Sequence, residues 1–152
     1  VSIVSDTVSR DMYGLRQGEG SGSGIIIDKS GLILTNNHVI KNSTKITVTM
    51  DDGTQQEATV IGFDQLSDLA VIQIPGEGYP FIPLEDSSNL RVGDWVIAIG
   101  NALALPGGPT VTVGVVSALG RNIDINQDST LTDLNQTDAV INPGNSGGPV
   151  LD

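Results

Sequence analysis

No stretch of this chain sustains a helical hydrophobic period; its apolar residues come in short runs cut by glycine, proline and turn residues. Ile25-Ile26-Ile27, Leu32-Ile33-Leu34, Ala70-Val71-Ile72 and Val96-Ile97-Ala98-Ile99 are too short for packed helices and the right length for strands. The 19 glycines and 7 prolines scattered through the 152 residues supply the tight turns that such strands need. The chain is therefore expected to be all-β, and its length permits one domain or two small lobes.

Val1 and Ile3 open with strand-like alternation, and Gly18-Glu19-Gly20-Ser21-Gly22-Ser23-Gly24 then reads as a flexible connector. It is not a phosphate loop, because it lacks the Gly-Lys-Ser/Thr ending and leads into a strand instead of a helix. Asp28-Lys29-Ser30-Gly31 makes a hairpin turn into Leu32-Ile33-Leu34-Thr35. Lys45 to Met50, a turn at Asp51-Asp52-Gly53, one strand from Gln55 to Phe63 and another over Leu69 to Ile74 form a meander. Pro75 to Asn89, rich in proline, glycine and polar residues, reads as a connector between lobes. Further strands are expected at Trp95 to Ile99, Thr110 to Leu119, Gln136 to Ile141 and from Pro149 onward. The expected division is a first β-barrel lobe over 1–84 and a partial second one over 85–152. An open barrel leaves unpaired strand edges, so additional strands past Asp152, or from a separate chain, are expected to complete it.

Lys+Arg 7 against Asp+Glu 18 gives a formal charge of −11, which argues against nucleic acid and anionic membranes as partners. A solvated, repulsive surface is the simple reading of that excess. Without cysteine the fold has neither disulfides nor thiolate metal sites. No apolar stretch approaches the ~20 residues of a membrane-spanning helix, and no signal-peptide pattern opens the chain.

Chemistry concentrates at Gly144-Asn145-Ser146-Gly147-Gly148-Pro149. Glycines on both sides of Ser146 remove the β-carbons that would crowd a substrate carbonyl and allow turns that aim N–H groups at an oxyanion. A nucleophilic serine needs a base and a carboxylate to orient that base. His38 is the only histidine, at the end of an expected strand where a short turn could expose it. Asp68 heads the strand Leu69 to Ile74, with Asp64 as a nearby competitor; Asp28, Asp51 and Asp52 fall in turns where aspartate bonds its own backbone. The segment also satisfies the G-x-S-x-G elbow of α/β-hydrolases, which would suit a small-ester hydrolase. That reading fails because Gly147-Gly148-Pro149 opens a helix badly, and because His38 precedes the serine. The order His, Asp, Ser is the chymotrypsin-like one.

With these residues in place, the chain resembles the protease domain of the HtrA (Deg) family of trypsin-like serine proteases. The resemblance is carried, in family order, by Gly22-Ser23-Gly24-Ile25-Ile26-Ile27-Asp28, Leu34-Thr35-Asn36-Asn37-His38-Val39-Ile40, Asp68-Leu69-Ala70-Val71, Gly114-Val115-Val116-Ser117-Ala118-Leu119-Gly120-Arg121 and Gln136 through Pro149. It implies a triad of His38, Asp68 and Ser146, favouring Asp68 over Asp64, in a cleft between two antiparallel β-barrels. It further implies an oxyanion hole in the Gly144-Asn145-Ser146 segment, from the backbone N–H groups of Gly144 and Ser146. Val140 and Ile141 would stand at the base of an apolar specificity pocket that takes small or medium aliphatic residues, unless they merely fill the core.

The implied activity is ATP-independent serine endopeptidase action on unfolded or damaged proteins, with no cofactor and no metal. Members are often trimers joined through the N-terminal segment, where Tyr13 is the one aromatic here, and a PDZ domain usually follows. The implied location is extracytoplasmic. Arg121 to Asn135 resembles the family's sensor loop, its plain alternative being a mobile surface loop. Asn145 replaces the aspartate that digestive relatives pair with a newly cleaved N-terminal amine, so activation by loop rearrangement is expected instead. Asn101 to Gly108 departs from the family's frequent Asn-Pro-Phe-Gly, removing an aromatic that helps pack activation loops. The competing reading is a catalytically silent protein-binding fragment that recruits another chain at an open sheet edge.

Overall fold

The computed structural model describes residues 1–11, 14–101, 108–126, 129–142 and 144–152. Strand β1 (Ser2–Asp11) pairs antiparallel with β2 (Gly14–Ser23) from Ser2↔Ser23 to Asp11↔Gly14. The glycine run expected as a flexible connector is therefore mostly strand. Its glycines serve close approach: a β-carbon at Gly20 would stand 2.7 Å from Ser5 Oγ, and one at Gly22 only 2.6 Å from a Val39 methyl.

β1 also pairs with β5 (Ser43–Thr49), and β5 with β6 (Gln55–Glu57), giving a four-stranded sheet ordered β2-β1-β5-β6. A second sheet contains β3 (Ile25–Asp28), β4 (Leu32–Asn36), β7 (Thr59–Asp64) and β8 (Leu69–Gln73), in the order β3-β4-β8-β7. The single strand expected from Gln55 to Phe63 is thus two, one in each sheet. The break falls at Ala58, which is buried and turns its N–H to Ile46 O at 2.9 Å, so the chain switches sheets there. Alternation does the rest: Ile3, Ile33, Ile46, Val48 and Ile72 point between the two sheets and form one core with Val39 and Ile40 of α1 (Asn37–Ile40).

One buried group beside this core is out of place. Ser2 is fully buried, and its hydroxyl has no partner among the described residues. Ser2→Ala is expected to raise stability by about 1 kcal/mol, since it removes an unpaired polar group at nearly constant volume. A denaturant midpoint that falls in that variant would contradict the expectation.

After the irregular stretch 75–86 and a 3₁₀ turn at Ser87–Asn89, a third sheet is ordered β11-β10-β9-β12. It is built from β9 (Trp95–Gly100), β10 (Thr110–Asn126), β11 (Ser129–Thr137) and β12 (Val150–Leu151). The polar stretch Arg121 to Asn135, expected as a loop, lies largely in the β10–β11 hairpin. Its polar side chains bond across the strands, Thr130 Oγ1 to Asp124 Oδ1 at 2.6 Å and Asp133 N to Asn122 Oδ1 at 3.2 Å. The strand expected over Gln136 to Ile141 stops at Thr137. Beyond it, side chains replace the ladder: Thr137 Oγ1 donates to Val115 O, and Asp138 Oδ1 accepts from Val115 N at 2.7 Å. Pairing Val113↔Ile97 and Val115↔Trp95 gathers apolar residues on one face of β9 and β10, where Trp95 is 72% exposed. The all-β expectation holds, for α1 and the 3₁₀ turn are the only helices among the described residues.

Candidate active site

β4 and β8 pair in register from Leu32↔Gln73 to Asn36↔Leu69. One step past that ladder the next residues are Asn37 and Asp68, so the register itself delivers Asp68 to the turn that carries His38. Asp68 has φ +56°, a left-handed conformation that aspartate tolerates at some cost. Four hydrogen bonds hold it there. Its carbonyl accepts from Asn37 N and Asn36 Nδ2, both at 2.9 Å. Its carboxylate takes the His38 backbone N–H on Oδ1 at 2.9 Å and meets His38 Nδ1 through Oδ2 at 2.6 Å.

An ionised carboxylate can only accept, so this contact requires the His38 proton on Nδ1 and leaves Nε2 with its lone pair. The ring is 55% exposed, so it remains accessible from outside, while the Asp68 side chain is 22% exposed. Asp64 is engaged elsewhere. It accepts from Ser67 Oγ at 2.7 Å and from the N–H groups of Leu66 and Ser67. The Ser67 hydroxyl first, then those N–H groups, hold its carboxyl below the ordinary carboxylate range. Asp28 and Asp52 close their own turns, accepting from Ser30 N and Thr54 N at 2.8 Å each.

Ser146 is anchored to the end of β2 through its backbone. Ser23 N donates to Ser146 O at 2.7 Å, and Ser23 Oγ donates to Gly144 O at 2.7 Å. Gly147 has φ +81°, and a β-carbon there would collide with the Ser23 carbonyl and the Thr35 hydroxyl. A β-carbon on Gly22 would meet both the Val39 methyls and Ser146 O, which places the serine segment beside the His38 turn. Among the described residues the His38 ring bonds Asp68, and no hydrogen bond joins it to Ser146. On the other side, Ile99 N donates to Pro149 O at 3.0 Å and Val150 pairs with Ala98, so the same segment closes onto β9.

Asn145 turns its N–H to Asn142 O at 3.0 Å and its amide to Val140 O at 3.3 Å. Val140 and Ile141 are about half exposed, so they do not fill a core. Tyr13 and residues 102–107 lie outside the described residues. A separate cleft of about 520 Å³, lined by Ile82, Leu84, Val96 and Leu151 among others, includes none of His38, Asp68 and Ser146. Sequence reasoning missed Ser23, Thr35 and Asn36 as supports of the site. The signal was present in the Gly22-Ser23-Gly24 motif, but a glycine run read as a connector hides a serine that works.

Residues 22–152 match the model of the trypsin-like peptidase domain. A protein of Chlamydia pneumoniae described as "Probable periplasmic serine endoprotease DegP-like" is 52% identical over 130 residues, covering 86% of this chain and 26% of that protein. A protein of Rickettsia conorii with the same description is 51% identical over 131 residues, again 86% of this chain and 26% of its own length. The chain thus spans about a quarter of each of these relatives. The solved structure "HtrA-type protease AlgW with decapeptide" superposes with a TM-score of 0.81 at 34% identity, covering 99% of this chain and 51% of that one. With the order of its site residues, its paired β-sheets and these matches in agreement, the chain belongs to the trypsin-like peptidase family and, within it, to the HtrA (Deg) serine proteases.

Proposed function

We propose that this chain carries a serine endopeptidase site in which Ser146 is the nucleophile, His38 the general base and Asp68 the orienting acid. The observation that carries the reading is the double clasp of Asp68 on His38, through N at 2.9 Å and Nδ1 at 2.6 Å, beside the anchored Ser146 segment. His38 Nε2 takes the Ser146 hydroxyl proton as Oγ attacks a peptide carbonyl, then returns it to the leaving amine. A water activated by the same nitrogen hydrolyses the acyl-enzyme, while Asp68 stabilises the imidazolium in each half. The N–H groups of Gly144 and Ser146 are assigned to the oxyanion, since that of Asn145 is spent on Asn142. The chemistry draws on no nucleotide, metal or cofactor.

Substrates are assigned as unfolded or damaged proteins, cut after small or medium aliphatic residues. The half-exposed, uncharged Val140 and Ile141 support that preference, because they offer no carboxylate to a lysine or arginine. The division into lobes at 84/85, an extracytoplasmic location, a homotrimer, a following PDZ domain and activation by loop rearrangement belong to the same reading. No helix among the described residues is long and apolar enough to cross a membrane.

The competing reading, a silent binding fragment, draws on the exposed apolar face around Trp95. One experiment separates them. Incubation with a fluorophosphonate probe should place one adduct on Ser146, located by peptide mass spectrometry, in a preparation that digests unfolded casein without ATP. Absence of both the adduct and the digestion would sink the protease reading and leave the binding one.

A further inference from the structure

Ser23 is 2% exposed, lies at the end of β2, and uses every hydrogen-bonding group it has at the junction of the two lobes. Its hydroxyl donates to Gly144 O at 2.7 Å and accepts from Asn101 N at 2.6 Å. Its N–H donates to Ser146 O at 2.7 Å, and its carbonyl accepts from Thr35 Oγ1 at 2.8 Å. A serine hydroxyl has one proton to give, so donation to Gly144 and acceptance from Asn101 fix its rotamer from both sides.

Gly144, at φ +114°, has no β-carbon to limit the rotation of its backbone. Pinning its carbonyl restricts that rotation, and pinning Ser146 O restricts the loop two residues on. The Ser146 N–H, the oxyanion donor that lies between those two carbonyls, is thereby oriented from both sides through Ser23.

We infer that the Ser23 hydroxyl is a positioning group for the oxyanion hole, bridging Asn101 N–H at the end of β9 to the Gly144 carbonyl of the nucleophile loop. The inference rests on the protease reading above. It goes further in naming a residue outside the proposed triad and hole on which their geometry depends. Removal of the hydroxyl leaves the Gly144–Asn145 peptide held on one side only, by the Asn145 N–H on Asn142 O, and it leaves the Gly144 carbonyl and the Asn101 N–H without this partner.

The test compares Ser23→Ala and Ser23→Cys with the unmutated protein and with Ser2→Ala, a buried serine that faces Ser23 across the β1–β2 ladder and whose hydroxyl has no hydrogen-bond partner among the described residues. Cysteine fills the space with a weak hydrogen-bonding group, so it carries the test if the alanine variant does not fold. Active sites are counted by end-point fluorophosphonate labelling, and kcat and KM are measured on a peptide substrate per labelled site. Affinity is measured for a peptide boronate, whose tetrahedral adduct with Ser146 Oγ places an oxygen at the oxyanion position.

The expected result is a kcat about 10- to 100-fold lower in both Ser23 variants, with KM within about twofold and boronate affinity falling by the same factor as kcat/KM. Ser2→Ala should leave all three unchanged. A kcat per site within about twofold of the unmutated protein, or a fall in kcat without loss of boronate affinity, would overturn the assignment. Failure of the unmutated protein to label and to cleave would instead overturn the protease reading beneath it.

Discussion

Ser146→Ala is expected to lower kcat on a peptide substrate by about a millionfold, or about 8 kcal/mol of transition-state stabilisation. The size follows from the chemistry, since no other group on this segment can form the acyl-enzyme and His38 and Asp68 act only through that step. The substitution should cost little stability. The contacts that hold the segment use the Ser146 carbonyl and not its hydroxyl, and Gly144 and Gly147 keep their bonds and close contacts. A melting temperature near that of the unmutated protein, with loss of both casein digestion and probe labelling, is the predicted combination. Retention of more than about a thousandth of the activity, in a preparation shown free of contaminating protease, would remove Ser146 from the role of nucleophile.

What could be read from the sequence, and what could not, divides along a physical line. Strands announced themselves where an apolar run met a turn, as at Ile33 and Ile72, because burial on one face imposes alternation. The run from Gly18 to Gly24 carries no such alternation. It is a strand because its partner presses so close that β-carbons do not fit, and that cause lies in Ser5, Thr7 and Val39, distant in sequence. The β10–β11 hairpin escaped for the opposite reason. Its polar side chains suit a solvated loop as well as a cross-strand ladder, and composition does not distinguish them. The break at Ala58 was invisible because a strand that changes sheets keeps its extended backbone on both sides. In the site, residue types and their order pointed to His38 and Ser146, whereas the choice between Asp68 and Asp64 came from resemblance. The β4–β8 register now supplies a physical ground for it, by carrying Asp68 and not Asp64 to the His38 turn.

That register yields the second large effect. Asp68→Asn should lower kcat by about 10⁴-fold, whereas Asp64→Asn should leave it within about twofold. Asparagine at position 68 keeps the volume and can still accept from the His38 backbone N–H. Its amide can also donate to Nδ1, however, and a ring that accepts there must carry its proton on Nε2, the nitrogen that has to receive the serine's. The loss is therefore one of tautomer and charge stabilisation, with the fold intact. The four bonds that hold Asp68 at φ +56° divide evenly between its carbonyl and its carboxylate, and the substitution leaves the carbonyl pair untouched. Asp64→Asn weakens a surface turn closed by Ser67 and Leu66, and reaches His38 by no hydrogen bond. Measuring kcat and melting temperature for both variants separates the cases. Equal activity in the two would show that the Asp68 clasp is structural, and a large loss in Asp64→Asn alone would transfer the acid's role to Asp64.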